Sequence, residues 1–121
     1  MRYMLLIYND EAGMMNASKD QIQQTLAAYG AYTEALKNSG AWLAGDRLKP
    51  TQASTSVRLA SGKTSVLDGP YADTKEQLAG FYMIEAADAD AAIAWAARCP
   101  AASVGTVEVR PIWEMAEYIA A

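Results

Sequence analysis

The stretch Arg2–Tyr8, RYMLLIY, is apolar on both faces that an extended chain presents: Tyr3, Leu5 and Ile7 on one, Met4, Leu6 and Tyr8 on the other. A strand of this kind is normally covered on both sides. Gly80–Glu85, GFYMIE, has the same strongly apolar character.

Between the two, Ser18-Lys19-Asp20-Gln21 spells a capping box, in which a Ser hydroxyl and a Gln amide satisfy helix-start donors. Ile22, Leu26, Tyr29, Thr33 and Leu36 follow at helical spacing, and Asn38-Ser39-Gly40 supplies the stop. A short strand is expected over Ala41–Leu48. STSVRLA and KTSVLD then make a hairpin about Ser61-Gly62, where glycine tolerates the positive φ of a tight turn. Asp88 or Asp90 caps a second helix, DADAAIAWAARC, which Pro100 ends. The final segment, GTVEVRPIW, alternates Thr106, Glu108 and Arg110 against Val107 and Val109.

The order is strand–helix–strand, a hairpin, then strand–helix–strand. That order predicts one α+β domain over residues 1–121, a ferredoxin-like sandwich with an antiparallel sheet and both helices on one face. The other sheet face would then expose a larger apolar patch than soluble proteins normally carry. A second copy packing sheet to sheet removes it, so a homodimer built as a dimeric α/β barrel is expected.

Composition excludes several kinds of chemistry. The 121 residues carry a net charge of −4 and no basic cluster, which argues against nucleic acid and anionic membranes as partners. No apolar run approaches the roughly 20 residues that span a bilayer, and no signal-peptide pattern follows Met4–Tyr8. The single cysteine, Cys99, fits a reducing compartment, so the cytoplasm is the expected location. There is no histidine, which removes a Ser-His-Asp triad, a His general base and His ligation of zinc or haem. No cofactor or metal motif is present, so none is expected.

The connection DGPYADTKEQ, Asp68–Gln77, is more decorated than a turn requires. Together with MRYMLLIY, LDGPYADTKEQLAGFYMIE, WAARCP and VEVRPIWEM, it resembles the DGPF-type branch of the YCII-related proteins across nearly the whole chain. Tyr71 stands where the branch has Phe. The resemblance implies a small bacterial protein with the dimeric α/β barrel fold, and links some members to extracytoplasmic-function sigma factors. Better-studied relatives are similar to muconolactone-processing enzymes, with a proposed His–Asp dyad. Carried over by motif, that dyad falls at Tyr29 and Cys99, so neither residue type is kept.

Candidate site residues follow. Asp68 and Glu76 flank the connection and suit general acid and base work if their surroundings separate them. The competing reading is a turn cap and a solvated charge. Tyr71 and Lys75 suit ligand contact, Lys75 by orienting a carboxylate or phosphate. Tyr29 is either core or pocket, and Cys99, at a helix C-terminus, is a poor thiolate. Asp46, with Arg47, and Arg110, beside Glu108, suit an anionic ligand, and a Glu108–Arg110 ion pair is the plainer account of the latter. Two functions compete. One is a small-molecule-binding or regulatory homodimer. The alternative is a cofactor-independent lyase or isomerase acting on a small anionic lactone or acid.

Overall fold

The computed structural model describes residues 1–121. Six strands are present: β1 (Arg2–Asn9), β2 (Trp42–Arg47), β3 (Thr55–Ala60), β4 (Lys63–Asp68), β5 (Gln77–Glu85) and β6 (Thr106–Pro111). The helices are α1 (Glu11–Met15), α2 (Lys19–Asn38), α3 (Ala89–Arg98) and α4 (Met115–Ala120). None is long and apolar enough to cross a membrane.

Four strands form an antiparallel sheet in the order β2-β5-β1-β6. The two segments apolar on both faces, β1 and β5, take its centre, and the more polar β2 and β6 take its edges. Each long helix joins strands that flank a common neighbour, α2 across β5 and α3 across β1. This is the strand order of the ferredoxin-like α+β fold. The sheet of the single chain is open, not closed into a barrel.

Register decides which apolar face meets the helices. Tyr3 lies opposite Ile84, and Leu5 opposite both Tyr82 and Val109, so these side chains share one face. Tyr32 and Leu36 of α2, with Ala92 and Ala96 of α3, pack against it, and Leu5, Leu36 and Ile84 are fully enclosed. The alanines let α3 lie close to the sheet. The opposite face carries Met4, Leu6, Tyr8, Phe81 and Met83, all half-buried, with Glu108 and Arg110 beside them on β6.

Local signals act as expected at the helix ends. The Ser18 hydroxyl accepts from the Gln21 amide at 3.2 Å, while the Gln21 side chain accepts from the Ser18 amide at 2.9 Å. At the other end Gly40 has φ +79°, and Ala41 N–H reaches back to the Leu36 carbonyl at 2.9 Å in a Schellman stop. Asp88 caps α3 through the Ala91 amide.

The lower half of the α2 stripe departs from its expected role. Ile22 and Leu26 are 46% and 45% exposed, although Leu36 on the same stripe is enclosed. α2 meets the sheet only along its C-terminal half, and its N-terminal half stands away from it. The hairpin β3–β4 also lies apart, as a two-stranded sheet of its own. Its Ser61-Gly62 turn has positive φ at both residues, the type I′ pattern. The short helices α1 and α4 have no counterpart in the apolar periodicity, because five or six residues are too few to show one.

Candidate functional site

Where the N-terminal half of α2 leaves the sheet, a cavity of about 590 Å³ opens. Leu26, Tyr29, Gly30 and Thr33 line it from α2, one helical face at intervals of three and four residues. Gly30 sits within the helix, where glycine costs about 1 kcal/mol relative to alanine. A Cβ there would meet nothing within 4 Å, so helix packing does not account for the glycine.

The floor is kept low by two further glycines. A Cβ on Gly45 would lie 2.8 Å from the Tyr82 ring and 3.1 Å from Trp42, and one on Gly80 would lie 2.7 Å from the Asp46 carbonyl oxygen. The far wall is α1, with Met14 and Met15. It is tied in place through Glu11. The Gln77 side chain accepts from the Glu11 amide at 3.0 Å, and the Glu11 carboxylate accepts from the Thr51 amide and hydroxyl at 2.5 and 2.7 Å.

Two side-chain hydroxyls meet in the cavity lining. The Tyr82 and Thr33 hydroxyls are 3.2 Å apart. Burial pushes the Tyr29 phenol up to about 12, with Cys99 and Tyr82 adding to the shift and Arg47 opposing it. Burial likewise raises Tyr82 and the neighbouring Tyr32. It also raises the Cys99 thiol, against the pull of the Ala101 amide and of Tyr29. All four groups therefore stay protonated at neutral pH.

These shifts carry a pH consequence. A phenol whose folded pKa lies above its unfolded value stabilises the fold fully below the unfolded pKa and loses that contribution as pH rises through the folded one. For Tyr29 that window runs from 10.0 to about 12. Alkaline titration should therefore show part of the phenolate absorbance appearing only together with loss of far-ultraviolet circular dichroism. Ionisation of all seven tyrosines with the fold intact would contradict the buried placement.

The structure brings some of the sequence candidates together and separates others. Tyr29 and Asp46 lie at the cavity. Asp46 pairs with Phe81, so strand alternation turns its side chain toward the opposite sheet face and leaves its backbone at the floor. Cys99 is 2% exposed and packs behind Tyr29. Asp68 is exposed at the end of β4, opposite Thr55. Tyr71 is 80% exposed, with Arg58 over its ring at 5.9 Å. Lys75 is exposed, and Glu76 accepts from the Thr106 hydroxyl at 2.8 Å. Arg110 lies on the sheet face away from the cavity, ion-paired with Glu108. Thr33, Gly30, Gly45 and Tyr82 were not among the candidates. Of these, only Gly30, a glycine inside a strong helical pattern, left a readable signal.

A family model described as the YCII-related domain matches residues 1–116. The chain belongs to the YCII-related family. An uncharacterized protein of Rhizobium meliloti (strain 1021) is 39% identical to it over 114 residues, covering 93% of this chain and 92% of that protein. In this YCII-related domain Tyr29 and Cys99 are neighbours whose side chains shift each other's titration.

Proposed function

We propose that this YCII-related domain is a small-molecule-binding protein whose site is the cavity between α2 and the sheet, in a homodimer that closes the two sheets into an α/β barrel. The Asp68-Gly69-Pro70-Tyr71 motif supports placement in the DGPF-type branch. The observation that carries the binding reading is Gly30, a helix-interior glycine that faces open cavity. The volume also falls within the roughly 300–1,000 Å³ of small-ligand sites. Dimerisation is supported by the apolar sheet face of Met4, Leu6, Tyr8, Phe81 and Met83.

The lyase or isomerase alternative has less support. Its carboxylates, Asp68 and Glu76, lie outside the cavity lining, and the phenols and thiol nearest the cavity are shifted away from neutral pH.

The neutral dye Nile red tests the binding reading without involving charge. It should bind saturably, one molecule per chain, and Gly30→Leu should abolish that binding while a hairpin control, Leu59→Ser, leaves it intact. Unchanged binding in Gly30→Leu would move the site elsewhere. Light scattering at micromolar concentration should give the mass of two chains, and a one-chain mass would remove the barrel.

A further inference from the structure

Arg47 occupies an unusual position for a surface cation. It lies opposite Gly80 in the β2–β5 register, so its side chain stands on the cavity face, over a residue with no side chain. Its charge acts on both Tyr29 and Tyr82. The three ion pairs of the chain join the N-terminal amine to Glu85, Arg2 to Glu114, and Arg110 to Glu108. Arg47 has no carboxylate partner.

The acids around the cavity do not supply one. Both Glu11 oxygens are taken by Thr51, Asp46 points to the other sheet face, and Glu34 stands exposed at the mouth. A second cation, Lys49, is also at the cavity. The cavity face of β2 therefore offers an exposed guanidinium whose charge reaches the Tyr29 and Tyr82 phenols. A guanidinium only donates, and protonated phenols readily do so, which favours an acceptor-rich anion with planar geometry. The rest of the lining is of another kind. Leu26, Met14 and Met15 are apolar and part-exposed, at 45%, 44% and 59%, and Gly30 leaves room between them and the phenols. Methionines suit a flexible apolar surface, because the side chain adapts to irregular shapes.

We infer that the ligand is an amphipathic carboxylate, its head group held by Arg47 beside Tyr29 and Tyr82 and its apolar body lying past Gly30 toward Leu26, Met14 and Met15. The inference rests on the cavity being the binding site, and it adds the chemical class. Octanoate, octanamide and acetate separate the contributions. Calorimetric titration should show octanoate binding at least roughly tenfold more tightly than octanamide, since the neutral amide forfeits the charge-assisted contact, and more tightly than acetate, which lacks the body. Amide resonances of Gly30, Gly45 and Gly80 should move with octanoate. Arg47→Gln, at an exposed position, should remove most of the preference for octanoate over octanamide, whereas Leu59→Ser in the separate hairpin should leave both affinities unchanged.

Equal affinity of octanoate and octanamide, with the cavity glycines shifting for both, would overturn the anion inference while the binding reading stands. Acetate matching octanoate would overturn the apolar body. Failure of all three to move the cavity glycines, with Nile red also failing to respond to Gly30→Leu, would overturn both readings.

Discussion

Leu36→Ala is expected to destabilise the protein by about 3 kcal/mol, within the range of roughly 2–5 for emptying an enclosed leucine site. Leu36 is fully enclosed where the last turn of α2 meets the sheet, alongside Leu5 and Ile84. Its neighbours have little freedom to close the gap. Tyr32 is held by a hydrogen bond from its hydroxyl to the Trp95 carbonyl at 2.7 Å and by edge-on contact with Tyr82 at 5.2 Å. The Leu36 carbonyl itself accepts from Ala41 in the helix stop, so the backbone there is fixed too. Thermal unfolding should fall by roughly 10 °C for a domain of this size. Ile22→Ala, on the same stripe but 46% exposed, should cost well under half as much. Equal losses at the two positions would mean that the N-terminal half of α2 packs on the core after all.

Gly105→Ala should be similarly costly, by about 3 kcal/mol, though for a steric reason. A Cβ at this position would lie 2.2 Å from the Tyr8 carbonyl oxygen and 3.2 Å from the Asn9 Cβ. The obstacle is the backbone of a central strand, so no side chain can swing aside. Moving Gly105 instead would disturb Thr106, which pairs with Tyr8 at the start of β6, and the Gly105 amide that donates to the Ala101 carbonyl at 2.7 Å. Gly30→Ala is the matching control. Nothing stands within 4 Å of its Cβ, and the change should be neutral or stabilising by up to about 1 kcal/mol. Urea denaturation of the two variants should therefore give midpoints on opposite sides of the parent, or at least far apart. A parent-like midpoint for Gly105→Ala would refute the close approach of β1 and the chain entering β6.

Most of the fold was legible because the signals that specify it are local. The capping box at Ser18, the Gly40 stop, the Asp88 cap and the Ser61-Gly62 turn each act within a few residues, and each lies where the residue types indicate. The two segments apolar on both faces pointed in turn to the centre of a sheet. The cavity was much less legible. Leu26 and Leu36 share a helical stripe and a residue type, yet one lines a void and the other is enclosed. Nothing in the periodicity records where a helix parts from the sheet beneath it. The connection from Asp68 to Gln77 does not line that cavity. Its dense polar chemistry suggested a site, whereas the cavity is built mainly from α2, β2, β5 and α1, elements spread along the chain.

The amino-acid order determined the elements, their ends and the α+β class, since caps, turns and apolar patterning depend on neighbours along the chain. It also determined which proton chemistry is absent, because a chain without histidine has none to place. The arrangement in space settled what those elements enclose. Gly45 and Gly80 make a floor only because the register of β2 against β5 sets them beside Tyr82 and Asp46. Arg47 faces the phenols only because that register ends with it over Gly80. Pairing between strands more than thirty residues apart carries no local signature, and the candidate site depends on that pairing.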